Sequence, residues 1–154
     1  MVHYEVGNLL DAPVDYICHQ VNCQGRMGSG IAKQIKERWP VVYDDYMAVY
    51  NTKGIDVRHE LLGSIQTVFI KPNKGVINMF AQESYGYDGR RYTSYDAFWS
   101  CLGKIREGIP KGSKIGFPWK IGCGLGGANW QVISTMICEV LGNDYEVYIY
   151  QLED

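Results

Sequence analysis

Two glycine-rich stretches, each set between an apolar, β-rich run and a helix-patterned run, constrain this chain more than any other feature. The first, HQVNCQGRMGSGIAK, covers residues 19–33, and the second, IGCGLGGANW, covers residues 121–130. DYICHQV (15–21) runs into the first and reads as a buried strand. After it the period changes: Ile31, Ile35 and Trp39 fall four apart, with Ala32 beside them, on one helical face. KIGFPW (114–119) reads as the strand before the second stretch. Beyond that stretch Asn129 stands where an N-cap belongs, ahead of the apolar stripe Trp130, Ile133, Met136, Ile137, Val140 and Leu141.

The rest of the chain continues the alternation. HYEV (3–6) is a short strand ending at Gly7, and Pro40 opens a second helical stretch toward Tyr50. SIQTVFI (64–70) and GVINMF (75–80) are strands joined by the turn KPNKG. Thr93, followed three residues later by Asp96, resembles a capping box before a helix carried by Tyr95, Phe98, Trp99, Leu102 and Ile105. YEVYIYQL (145–152) closes as a strand. No repeat, linker or low-complexity tract interrupts the pattern, so the expected class is α/β, with a central sheet covered on both faces. A length of 154 residues fits one domain spanning 1–154 with one substantial core.

Composition narrows the function. Lys plus Arg total 15 and Asp plus Glu 17, a net charge of −2 that gives no reason to expect nucleic acid or a membrane surface as partner. No segment approaches a membrane span, and the N-terminus lacks the basic start and apolar run of a signal peptide. Five cysteines are an odd number with no CxxC pair, so a disulfide framework is not expected and a reducing cytoplasm fits. With three histidines, none at ligand spacing from a cysteine pair, no metal site is expected either.

A glycine loop between a strand and a helix start is where open α/β sheets bind ligands. Unpaired amides and the helix dipole attract anions there, and Gly28 and Gly30 would let the backbone approach phosphate oxygens. The first loop is not a Walker A loop, because Ile31 stands where Lys must follow the last glycine. Gly122, Gly124 and Gly127 match GxGxxG literally, yet only one helix and one strand follow, too little for a dinucleotide unit. A glycine-rich connector would explain either loop alone. Two such loops together point to a ligand gripped from two sides, and a pyrophosphate suits amides presented by both.

In this order and spacing the motifs resemble the macrodomain family, which binds ADP-ribose. EVGNLL is similar to the family's first strand and adenine loop, HQVNCQGRMGSGIAKQIKERWP to its first phosphate loop and helix, FPWKIGCGLGGANW to its second phosphate loop, and VYIYQL to its last strand. GNLL, HQVNCQGRMGSGIA and YQL resemble the fungal ADP-ribose-1''-phosphate phosphatase branch, while RMGSGIA and IGCGL also resemble the terminal ADP-ribose protein glycohydrolase. NMFAQ and RYTSY are similar to segments of small bacterial and phage macrodomains. The resemblance implies a three-layer α/β/α fold with a mixed sheet, no cofactor, and a monomer that takes ADP-ribose or ADP-ribose-1''-phosphate as ligand.

The resemblance also implies residue roles. Asn8, beside Leu9, takes the adenine-recognising position, against the alternative of a turn or cap Asn. Asn22 takes a distal-ribose position, against loop self-bonding. The backbone of Gly28, Ser29, Gly30, Ile31 and Ala32 would hold the pyrophosphate with that of Gly122, Cys123, Gly124, Leu125, Gly126 and Gly127. Cys123 reads as a packing residue rather than a nucleophile. His19 matches the phosphatase's histidine, where an imidazole can activate water or donate a proton near a terminal phosphate. A satisfied core histidine is the competing reading. Arg26 can meet the same phosphate, and Tyr92 and Tyr95 can wall the distal site; a solvated cation and ordinary packing are the alternatives.

The activity so implied is phosphate release from ADP-ribose-1''-phosphate. The alternatives are a non-catalytic ADP-ribose reader and a hydrolase that removes ADP-ribose or acetyl groups. The glycohydrolase branch works through a lysine and an aspartate. Gly126 stands in this chain where that aspartate follows GCGL, and NMFAQ offers no amine before Lys104. Asn129 likewise stands where related loops end in GDW. The lysine–aspartate route is therefore expected to be closed here.

Overall fold

The computed structural model describes residues 1–53 and 58–153. Its strands are β1 (Val2–Val6), β2 (Tyr16–Asn22), β3 (Ile65–Lys71), β4 (Lys74–Gln82), β5 (Lys114–Pro118) and β6 (Glu146–Gln151). Its helices are α1 (Gly30–Arg38), α2 (Pro40–Lys53), α3 (Arg58–Leu61), α4 (Tyr95–Gly108) and α5 (Trp130–Leu141), with a short 3-10 turn at Leu9–Asp11. Every element expected from the sequence is present within a few residues of its expected bounds; the 3-10 turn and α3, too short to show a period, were not expected.

The strands form one sheet in the order β1-β6-β5-β2-β4-β3. All neighbouring pairs are parallel except the β3–β4 hairpin, so the sheet is mixed. Side chains alternate across it with period two. Ile77, Met79 and Ala81 of β4 face Phe98, Leu102 and Ile105 of α4 and Ile133, Ile137 and Leu141 of α5. Ile17 and Val21 of β2 and Val76 and Phe80 of β4 face Ile35 of α1 and Val42 and Tyr46 of α2. The sheet thus separates two apolar cores, giving three layers. Among the described residues, no helix is long and apolar enough to cross a membrane.

Because β1, β2, β4, β5 and β6 run parallel, their carboxyl ends lie along one edge. The segments after Val6, Asn22, Gln82 and Pro118 gather there, and strand order spreads them from the β1 side to the β4 side. The helices that follow are set by local chemistry. Asn129 caps α5, its Oδ1 accepting from Gln131 N at 2.9 Å and Val132 N at 3.4 Å. Helix α4 is capped by Ser94, whose Oγ accepts from Ala97 N at 3.1 Å, one residue later than the expected Thr93. Thr93 is instead buried, its hydroxyl donating to Gly122 O at 2.8 Å.

The Asn129 cap is testable alone. Asn129→Ala should lower stability by about 1 kcal/mol in urea denaturation, and Asn129→Asp should restore most of it, because either side-chain oxygen accepts from the first-turn amides.

Candidate functional site

The gathered loops enclose a cleft of about 470 Å³ at the carboxyl edge of β2, β4 and β5. One wall is the first glycine loop, and its shape comes from two side chains. The buried Tyr46 hydroxyl donates to Asn22 O at 2.6 Å and accepts from Gly25 N at 3.1 Å and Arg26 N at 3.2 Å. Burial holds this phenol well above its ordinary pKa, so it remains a donor. Asn22 Oδ1 accepts from Gln24 N at 2.9 Å, and its Nδ2 donates to Arg26 O at 2.9 Å. Asn22 therefore lines the cleft but spends its amide on the loop, as the self-bonding alternative anticipated. Beyond it, Ser29 makes no side-chain cap on α1, which leaves the first-turn amides facing the cleft. Gly28 to Ala32 all line it.

The opposite wall is the second glycine loop. Gly122 adopts φ +75°, and Ala128 N donates to Gly122 O at 2.9 Å, folding the loop back on itself. The amides of Gly124, Leu125 and Gly126 take no backbone partner among the described residues, and all three residues line the cleft. A Cβ on Gly126 would sit 2.5 Å from both Gly122 O and Thr93 Oγ1. Gly126 is thus a packing requirement as well as a cleft-lining residue. The carboxylate expected to be missing there has no room in this arrangement. Lys104, the next amine along, donates to Gly63 O at 2.8 Å from helix α4.

The floor is polar. Gln20 Nε2 donates to Gln82 Oε1 and Thr93 Oγ1, both at 2.7 Å. The charged residues lining the cleft are Arg26 and Lys120; no carboxylate or imidazole joins them among the described residues. Lys120 adopts the left-handed φ of +61°, and its Nζ lies 4.5 Å from the Trp119 ring centroid. Gln20, Gln82, Tyr85, Tyr87, Trp119, Lys120 and the buried Tyr46 were not singled out from the sequence. No local pattern marks them, and Gln20, Gln82 and Tyr46 gain their roles from neighbours distant in the chain.

Seven expected residues do not line the cleft. His19 has no exposed surface. It shares the α1/α2 face of β2 with Ile17 and Val21, and lies opposite Asn78 of β4 in register. Its Nε2 donates to Asn78 Oδ1 at 2.5 Å; Asn78 Nδ2 donates to Gln66 Oε1 at 3.0 Å, and Gln66 Nε2 to Asp45 O at 2.8 Å. Burial pushes the imidazole down to about 4. The expected catalytic role is therefore corrected: a sealed, neutral imidazole paired to a core amide cannot meet a phosphate in the cleft. Asn8 caps the 3-10 turn, its Oδ1 accepting from Leu10 N at 3.0 Å, and Leu9 is buried in the core. Cys123 donates through Sγ to Ile121 O at 3.4 Å, and burial raises its thiol pKa. Gly127 packs on the Arg90–Arg91 backbone. Arg26 lines the cleft, whereas Tyr92 and Tyr95 lie on its outer side, beside a separate shallow depression.

Two measurements check this geometry. Gly126→Ala should lower stability by about 2 kcal/mol through overpacking, whereas Gly103→Ala in α4, whose Cβ meets open space, should be neutral or mildly stabilising. The second concerns His19, whose folded pKa of about 4 lies below its ordinary 6.5. Its neutral form contributes stability in full above pH 6.5. As pH falls toward 4, the unfolded chain binds a proton the folded chain refuses, and that contribution is lost. The loss is on the order of 3 kcal/mol. Urea denaturation of His19→Gln should show a correspondingly flatter dependence between pH 7 and 4.5 than the unsubstituted chain.

No protein-family model matches the chain. A Thermus aquaticus protein named DNA ADP-ribosyl glycohydrolase is 25% identical over 153 residues; the match covers 98% of this chain and 41% of that protein, so the chain spans less than half of the relative's length. The solved macrodomain of Thermus aquaticus DarG superposes with a TM-score of 0.78 at 24% identity over 98% of each chain. Thermosipho africanus DarTG, solved in complex with ADP-ribose, superposes with a TM-score of 0.74 at 22% identity, covering 98% of this chain and 42% of that one. The chain has the macrodomain fold, a mixed six-stranded sheet between two helical layers.

Proposed function

We propose that the cleft binds ADP-ribose and that the chain is a hydrolase releasing ADP-ribose from a modified acceptor. One observation carries the reading: two glycine loops, after β2 and β5, face each other across one cleft with backbone amides bare to it. That arrangement suits a pyrophosphate held from both sides, with Arg26 and Lys120 adding positive charge and no carboxylate opposing it. The likeness to a protein named DNA ADP-ribosyl glycohydrolase supports the hydrolytic part. In this reading the base lies on the β5 side of the cleft, toward the loop after β1 that is similar to the family's adenine loop, and the distal ribose lies toward β4. Because Gly126 excludes a carboxylate, hydrolysis would not use the lysine–aspartate pair.

Phosphate release from ADP-ribose-1''-phosphate is a second hydrolytic reading of the same cleft, now without His19 as its base. A reader that binds and does not turn over is favoured by a different observation. Among the described residues, the lining offers neither an imidazole nor a carboxylate for acid–base work at neutral pH.

Gly28 and Gly124 test the cradle without threatening the fold. Neither has a positive φ, and a Cβ on either meets nothing within 4 Å. Gly28→Val and Gly124→Val should each keep the thermal transition near that of the unsubstituted chain and lower ADP-ribose affinity at least ten-fold by calorimetry, on the order of 1.4 kcal/mol or more. Unchanged affinity in both would defeat the two-loop cradle. Incubation with ADP-ribosylated single-stranded DNA and with ADP-ribose-1''-phosphate, followed for ADP-ribose and for inorganic phosphate, separates the readings. Binding with neither product would establish the reader.

A further inference from the structure

We propose that β1 is a pairing edge for a second copy of this chain, joining two sheets through an antiparallel β1–β1 contact with Tyr4 opposite Tyr4. β1 is the last strand on its side of the sheet, bonded to β6 alone. Edge strands are ordinarily blunted by bulges, prolines or lysines. The other edge, β3, follows that rule: its pairing with β4 shifts register between Phe69 and Lys71, and it ends on Lys71. β1, with the sequence VHYEV, has none of these devices and pairs with β6 in unbroken register from Val2 to Val6. On it, Tyr4 is 63% exposed and Val6 69%.

Backbone direction fixes which groups the edge offers. Gly7 N donates to Gln151 O, and Met1 O accepts from Val147 N, both at 2.9 Å. The N–H and C=O of one residue point to the same side of a strand, and successive residues point to opposite sides. The odd-numbered residues from Met1 to Gly7 therefore face β6, while Val2, Tyr4 and Val6 aim their N–H and C=O away from the sheet. An antiparallel copy centred on Tyr4 meets every one of them. Tyr4 pairs with Tyr4, and Val2 with Val6 at either end, each pair exchanging both hydrogen bonds. By the period of two, Val2, Tyr4 and Val6 also share one face, so their side chains continue across the contact as one apolar strip.

Side chains on the opposite face select this register. His3 stands opposite Glu5 of the second copy, and Glu5 opposite its His3, at the non-hydrogen-bonded positions where side chains lie closest. His3 is already oriented: its ring stacks on Tyr148 at 4.7 Å, and its Nε2 lies 2.7 Å from Glu146 Oε2. Glu5 is exposed and takes no ion-pair partner among the described residues. Centring the contact on Glu5 instead would set two carboxylates opposite each other, and centring it on His3 would set two imidazoles together. A second copy is thus matched in length, backbone direction and charge. Antiparallel pairing turns the two carboxyl edges to opposite sides of the joined sheet, so neither cleft is covered. One short strand per copy makes a weak, reversible dimer, in place of the monomer that the family resemblance implies.

Sedimentation equilibrium of the full chain up to about 0.5 mM should show a monomer–dimer equilibrium with a sub-millimolar Kd. Tyr4→Pro removes the outward N–H at the centre and keeps the bonds to β6, as an edge strand allows. It should weaken dimerisation by about ten-fold or more, the scale of two lost hydrogen bonds. Tyr4→Val keeps the N–H and loses only the ring, and should weaken it by no more than about three-fold. Cysteine cross-linking reads the register in a Cys138→Ser background, which removes the exposed native thiol. Under mild oxidation Tyr4→Cys and Val2→Cys/Val6→Cys should each form a covalent dimer, and Val2→Cys alone should not. A chain that stays monomeric throughout, an undiminished dimer in Tyr4→Pro, equal losses in Tyr4→Pro and Tyr4→Val, or cross-linking of Val2→Cys but not of Tyr4→Cys would overturn the proposal. Should Tyr4→Pro lose its thermal transition, the cysteine pattern decides.

Discussion

The close approach of Gly126 to Gly122 and Thr93 is the constraint on which the binding edge depends. Gly126 has no Cβ, and a Cβ there would lie 2.5 Å from Gly122 O. The chain can therefore turn tightly enough to aim the amides from Gly124 to Gly126 at the cleft. The same residue offers its carbonyl to Tyr92 N and Thr93 N, while the Thr93 hydroxyl holds Gly122 O and receives Gln20. These contacts join the second glycine loop, the Tyr92–Thr93 backbone and the polar floor. The interaction that makes the loop a candidate anion site also removes the position at which a catalytic acid would sit.

The first loop reaches a similar end by the opposite device, a large side chain instead of none. Tyr46 projects from α2 with its ring stacked on Phe80 at 5.7 Å, and its hydroxyl gathers the backbone of Asn22, Gly25 and Arg26. Without it the Gly25 amide would be an unsatisfied polar atom near the core, costing roughly 1–3 kcal/mol, and Arg26 N would keep only its 3.4 Å bond to Asn22 Oδ1. The loop is therefore shaped from beneath by the α1/α2 core, and the second loop from the side by Thr93. Two independent supports on the two faces of the sheet hold one cleft between them.

Much of the fold was legible because its signals are local. The apolar, β-rich run DYICHQV and the period of about four after Gly28 identified β2 and α1, and Asn129 announced its own helix. The glycine loops located the cleft for the same reason. What failed needed a distant partner. Thr93 looked like a cap, but its hydroxyl is taken by Gly122, and Ser94 does the capping. His19 looked catalytic because sequence shows neither the face of β2 it occupies nor Asn78, which lies 59 residues away. Asn8 and Asn22 each turn their side chain to their own backbone, the turn and self-bonding readings left open by the sequence. Among the glycines, Gly127 faces Arg90 and Arg91 rather than the cleft, a distinction that GCGLGG cannot make. Tyr46 left no trace, since a tyrosine on an apolar helical face reads as packing.

The polar row of buried His19 and Asn78 and half-buried Gln66 has a consequence for how the sheet assembles. Three strands contribute one polar rung apiece, and β2 meets β4 with His19 opposite Asn78. A slip by one residue would set the imidazole opposite Ile77 or Met79, whose side chains point to the other face. Both rungs would then be buried without partners. An all-apolar strand pair could tolerate such a slip with modest loss; this one cannot. The rung acts as a key that admits a single alignment of β2, β4 and β3. The cleft inherits its geometry from that alignment, because the same three-strand register fixes where Asn22 and Gln82 leave the sheet.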